Sequence, residues 1–253
     1  MKLEMIIKRN IWCLLIVVFL ALPAQATELT RAFLDGVHSY KTEDYEAAIV
    51  EFSKIVDAGI RNGNLFYNLG NAYLKNGDLG YAMLWYKRAL KLTPDDPDLK
   101  FNHKFGLTLV KDEREDNRLP ILRVVFFWQH LLSATTIQWA AIVLNMLFWI
   151  ILVLQVLREK RILKTVSYVI LTLALVFTLT VFYNHYAARY VKEAVILPDK
   201  VAVRSGLTDD STELFGLHAG TKVKIEKENK DFYRIYFSEG KIGWLKKSEV
   251  GVI

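Results

Sequence analysis

Catalysis needs clustered reactive side chains, and few residues of this 253-residue chain come close to forming such a set. Asp95, Asp96 and Asp98 crowd together in a way that invites a calcium reading. They stand at the junction of two helical units, where carboxylates cap helix N-termini, and capping is the role expected of them. The five histidines, His38, His103, His130, His185 and His218, are scattered over different segments, so no metal cluster is expected among them. Cys13 is the single cysteine and falls in an N-terminal apolar run, which leaves no disulfide, thiol nucleophile or Cys-based zinc site for the chain beyond it. There is no phosphate loop, no His-Glu-x-x-His and no Gly-x-Ser-x-Gly. The chain therefore does not read as an enzyme; no catalytic residue, cofactor or metal ligand is expected. What remains is binding, and the elements that carry it decide what is bound.

Two uncharged runs dominate the chain, the 34 residues Val124–Leu157 and the 24 residues Thr165–Ala188. About 20 apolar residues suffice for a helix to cross a bilayer. The second run is one spanning helix, expected over 165–187. The first is too long for one, and divides at Ser133 into an interfacial helix over 119–132, rich in aromatics, and a span over 136–157. The +6 net charge is a topology signal rather than a nucleic-acid signal: residues 117–191 hold seven basic side chains against one acidic. The connecting segment 158–164 carries Arg158, Lys160, Arg161 and Lys164 and is expected on the cytoplasmic side. Lys2, Lys8 and Arg9, the apolar run Ile11–Leu22 and Ala24-Gln25-Ala26 have the form of a signal peptide over 1–26. Both flanking domains are then expected outside the cytoplasm, on a bacterial inner membrane.

Residues 28–116 are helical by pattern and repeat at a spacing of 34. Phe66, Leu69, Gly70, Tyr73, Ala82, Tyr86, Ala89 and Pro94 form the clearer unit, with small residues where two helices cross and Gly77-Asp78 at the turn. Gly36, Ala48 and Phe52 stand one unit earlier, and Pro97-Asp98-Leu99 opens a capping helix over 97–113. This pattern resembles the tetratricopeptide repeat. The resemblance implies a concave peptide-binding face at Tyr67, Asn68, Asn71, Leu74 and Lys75. It does not extend to a clamp for a C-terminal carboxylate, because Phe33 and Val37 stand where such clamps have Lys and Asn.

Residues 194–253 switch to alternation at Val201/Val203, Val223/Ile225 and Tyr233/Ile235/Phe237, with turns at Ser205-Gly206, Ala219-Gly220 and Glu239-Gly240. Five or six short strands and a small all-β barrel are expected. Val203-Arg204-Ser205-Gly206, Leu217-His218-Ala219-Gly220-Thr221, Asp231-Phe232-Tyr233-Arg234-Ile235 and Gly240-Lys241-Ile242-Gly243-Trp244 resemble a bacterial SH3 domain. Phe232 and Tyr236 share the strand face opposite Tyr233, Ile235 and Phe237, and form its candidate recognition face. The fold class expected is therefore multidomain: an all-α tetratricopeptide-repeat domain, a two-helix transmembrane hairpin and a small all-β SH3-like barrel. In this order the parts resemble the Bat aerotolerance family. That resemblance implies an interaction scaffold working beside von Willebrand factor A-domain membrane proteins and a MoxR-type ATPase. The rival reading is an envelope sensor or a peptidoglycan-binding anchor acting through the SH3-like domain.

Overall fold

The computed structural model describes residues 28–112, 128–157 and 161–253. The expected signal peptide, most of the expected interfacial helix and Arg158-Glu159-Lys160 of the basic segment lie outside the described residues. The chain divides into two units: one holds the helices up to Lys111 together with Leu197–Asp199, the other Asp112–Ile196 and Lys200–Ile253.

The first unit is a helical array: α1 (residues 28–41), α2 (Tyr45–Asp57), α3 (Gly63–Asn76), α4 (Leu79–Leu92) and α5 (Pro97–Leu109). Local chemistry sets each boundary. Asp44 Oδ1 accepts from the Ala47 amide at 3.1 Å, and Asn62 Oδ1 accepts from Asn64 and Leu65, so the first turns of α2 and α3 have their donors satisfied. Gly77 ends α3 in the left-handed region, at φ 93°, and its N–H and that of Asp78 return to the last carbonyls of the helix. Asp96 caps α5 through the Leu99 amide at 3.0 Å, with Pro97 in its first turn. Of the three carboxylates at this junction Asp96 caps the helix, Asp98 lies in its first turn, and Asp95 pairs with Lys100 at 3.4 Å.

The core of this unit repeats like the sequence. A side-chain carbon on Gly70 would lie 2.7 Å from the Tyr86 ring, and one on Gly36 would lie 2.7 Å from the Phe52 ring. Both contacts place a helix backbone against an aromatic face, and both recur at the spacing of 34. Ala48, Phe52, Leu69, Ala82, Tyr86 and Leu99 are almost wholly withdrawn from solvent. Phe33 packs on Phe52, Phe66 on Trp85 and Tyr67 on Tyr86, with ring centroids 5.1–6.2 Å apart.

The second unit contains the two long apolar helices. Trp128–Leu131 forms a single turn. Ser133 then accepts from the Thr136 amide at 3.1 Å and its carbonyl from Ile137, opening α6 (Ala134–Leu157). α7 runs Arg161–Tyr190, and its 24 residues Leu163–Tyr186, like the 24 of α6, are long and apolar enough to cross a membrane. Only three residues separate the helices, so they pack antiparallel. Their seam holds Ile137 together with Ala141, Ser167, Ala174 and Thr180, small or polar side chains that allow close approach. Asn145 Nδ2 donates across it to Thr178 Oγ1 at 3.0 Å and within its own helix to Ala141 O at 2.8 Å. The mid-span amide is thus satisfied by its own hairpin.

The remaining residues form seven antiparallel strands: β1 (Glu193–Ile196), β2 (Lys200–Arg204), β3 (Glu213–His218), β4 (Lys222–Glu228), β5 (Phe232–Ser238), β6 (Lys241–Lys246) and β7 (Val250–Val252). Their order is β3-β2-β6-β5-β4-β1-β7. This corrects the expected fold class: the sheet is open and is not a closed SH3-like barrel. Closure needs the two end strands to meet in register with a definite shear. Here β3 pairs only with β2, while β7, three residues long, pairs only with β1. One face of the sheet still feeds a single core, with Ala194, Val203, Leu217, Val223, Ile235, Phe237, Leu245 and Val250 among its members. Alternation along each strand produces that core equally well in an open sheet and in a barrel.

Candidate functional site

α3 carries all five residues expected on the concave face, but the structure gives them different work. Asn68 and Asn71 line a cavity of about 250 Å³ together with Val37, Tyr40, Lys41 and Phe52. Tyr67 and Asn71 are tied into the array. Asn102 Nδ2, from α5, donates to Tyr67 Oη and to Asn71 Oδ1, both at 2.9 Å, and Tyr86 Oη donates to the same Asn71 oxygen at 2.7 Å. Asn71 therefore faces the cavity with its carbonyl already occupied. Asn68, one turn earlier, lines the same cavity, and among the described residues its side chain makes no such bond. Leu74 is half-buried, and Lys75, at the last turn of α3, is exposed.

The Tyr86 and Tyr40 phenols stay protonated. Burial raises the Tyr86 pKa far above that of an ordinary phenol, with Tyr67 and Tyr40 adding to the shift. Tyr40 is raised for the same first reason, then by Tyr45 and Tyr67. A groove with apolar walls, phenol and amide groups and one ammonium, that of Lys41, can hold a polypeptide by its backbone and its side chains. Among the described residues no group of three or more His, Cys, Asp or Glu side chains is placed to hold a metal ion.

Sequence reasoning missed Val37, Tyr40, Lys41 and Phe52 as lining, and Asn102 as the bracket of the site. The available signal was the 34-residue offset, which sets Val37 one unit before Asn71 and Asn102 one unit after Asn68.

On the sheet, Phe232 and Tyr236 lie on the side away from the core members Ile235 and Phe237. Phe232 lines a second cavity, of about 240 Å³, with Lys200, Arg204, Asp209, Trp244 and Lys246 among its neighbours, and Tyr236 does not reach it. The charges there are largely satisfied: Lys246 Nζ meets Asp209 at 2.7 Å, and Arg204 Nη1 donates to Ser211 O at 3.0 Å. Asp112 makes a separate polar cluster within the second unit. Its Oδ2 accepts from the His218 amide at 2.6 Å and from Thr221 Oγ1 at 2.7 Å, and its Oδ1 meets His218 Nδ1 at 2.8 Å. Burial would raise this carboxyl, but the hydrogen bonds from Thr221 and His218 outweigh it and hold the group below the usual carboxylate range.

Comparison with known families gives one match in this region: residues 63–96 match the tetratricopeptide repeat family. The matched stretch is α3, α4 and the turn after them, and it contains all five residues expected on the concave face.

Proposed function

We propose that this chain is a membrane-anchored, non-catalytic scaffold whose helical array holds a segment of a partner protein in the groove between α1, α3 and α5. The observation that carries the reading is the cavity faced by Asn68 and Asn71 and walled by Val37, Tyr40 and Phe52. The Asn68 amide, which can both donate and accept, reads the backbone of a bound segment, and the apolar walls take its side chains. Tyr67, Leu74 and Lys75 extend the same helix face. The two membrane-length helices anchor the array to a bilayer.

The finer reading is a scaffold of the Bat aerotolerance type in a bacterial inner membrane. Its partners would be von Willebrand factor A-domain membrane proteins, and both flanking domains would lie outside the cytoplasm. It rests on the order of parts in the sequence and on the basic segment between the helices. Co-purification in mild detergent tests it, comparing the full chain with a chain lacking residues 28–116. Partners carrying von Willebrand A domains should be recovered with the first and lost with the second. An unchanged partner list after the deletion removes the claim that the helical array recruits them.

A further inference from the structure

The cavity beneath Asn68 is lined by one charged residue, Lys41, and by no acid. Lys41 ends α1 and is exposed, and among the described residues it makes no ion pair. Lys75 ends α3 one repeat later, is likewise exposed, and extends the same helix face one turn beyond Asn71. The acids in the adjoining turns are partly engaged: Asp44 caps α2 through the Ala47 amide, and Asp78 accepts from Asn76 Nδ2 at 2.7 Å. Glu43 sits in the turn itself, at φ 64°.

Along the groove in the other direction the surface becomes aromatic. Phe33, Tyr67 and Phe101 occupy one position in three successive units, and Val37, Asn71 and Phe105 occupy the next groove-facing position. On α5 those rings are uncovered, Phe101 at 72% and Phe105 at 51% exposure, and Leu109 adds a third apolar side chain on the same helix row. A capping helix that only solvated the end of the array would carry polar residues there. Instead α5 presents its lysines, Lys100 and Lys104, at the positions that in α3 are Phe66 and Gly70, which pack against α4.

Resting on the peptide-groove reading above, we infer that the groove selects an internal acidic–apolar segment. A Glu or Asp side chain meets Lys41 and the Asn68 and Asn71 amides, and large apolar side chains next to it lie on Tyr67, Phe101 and Phe105. The ammonium and the amides are a charge-assisted site for a carboxylate at the end of an otherwise apolar cavity. The exposed rings supply the anchor surface that gives such a segment its affinity. The charge sets which segment is accepted, because an approaching Lys or Arg side chain would meet an uncompensated like charge.

Selection from a displayed library tests this. The probe is a randomised segment of about 12 residues held between two fixed domains, so that no terminus is free, and the bait is the full chain in lipid nanodiscs. Recovered segments should be enriched about tenfold in Glu or Asp beside Leu, Ile or Phe. Lys41→Glu, an exposed change at a helix end, should turn that preference toward Lys and Arg. Phe101→Ser with Phe105→Ser should remove the apolar enrichment while the acidic preference stays. Segments recovered without acidic excess, or an acidic preference that Lys41→Glu leaves unchanged, overturn the inference alone. No recovery by the wild-type chain, or equal recovery by an Asn68→Ala, Tyr40→Ala variant, overturns the groove reading and the inference with it.

Discussion

Tyr86 connects the repeat core to the groove: its ring packs under Gly70 and its hydroxyl ends on Asn71. Tyr86→Phe keeps the ring and removes that bond, so it should cost about 1 kcal/mol of stability. Gly70→Ala adds a methyl where the ring already sits at 2.7 Å, and overpacking of this kind should cost about 1–3 kcal/mol. Chemical denaturation of the detergent-solubilised chain reads both, and a Gly70→Ala variant as stable as wild type would contradict the close approach. Asp112 gives a pH dependence of definite sign. A carboxyl whose folded pKa is depressed adds stability that is complete above its unfolded value of about 3.9 and fades as the pH falls through the lower folded value. Asp112→Asn should therefore lower stability near neutral pH and flatten the loss seen on acidification. Unfolding midpoints at about pH 7 and about pH 3 decide it, and parallel pH curves for the two proteins would dismiss the role.

At the scale of elements, α6 and α7 are tied by polar contacts that their composition does not show, Asn145 to Thr178 and Gln155 Nε2 to the Leu163 carbonyl at 2.9 Å. Asn145 and Thr178 are 33 residues apart, and Asn145 bonds across the hairpin as well as to its own helix, whereas Thr172 and Thr180 bond their own helix. A cross-helix bond in a membrane couples its partners by about 0.6 kcal/mol, so Asn145→Ala and Thr178→Ala should be less than additive by about that amount in a detergent unfolding assay. Strict additivity would mean that the bond is not made. The open sheet shows the limit of reading elements one at a time. The turns at Ala219-Gly220 and Glu239-Gly240 were legible, since Gly220 and Gly240 adopt φ 82° and 73°, which few other residues tolerate. Strand alternation was legible at Val201/Val203 and at Ile235/Phe237. Which strand lies beside which was not: β1 joins β4 and β7, neither of which is the next strand in the chain.

For the whole molecule, the arrangement of charge about the hairpin makes an orientation testable. A reporter fused after Lys164 should behave as cytoplasmic and one fused after Ile253 should not; the reverse result would overturn the proposed orientation of both flanking domains. By itself the sequence determined the features that arise from local periodicity. The helical repeat shows in the spacing of 34, the two membrane-length helices in their uncharged runs, and the cap at Asp96 in the carboxylates at the junction of two units. Each is a contact between residues near in the chain or a property of one face, so pattern suffices to find it. Tertiary structure alone decided what depends on distant residues meeting. It brought Val37, Tyr40, Lys41 and Phe52 to the same cavity as Asn68, and Asn102 to Tyr67. It also brought Phe232 to Trp244 and Lys246 in a second cavity and left β3 and β7 at the two ends of an open sheet. Such outcomes rest on the register and reach of elements far apart in sequence, and the spacing of residues within any one element is the same whichever outcome holds.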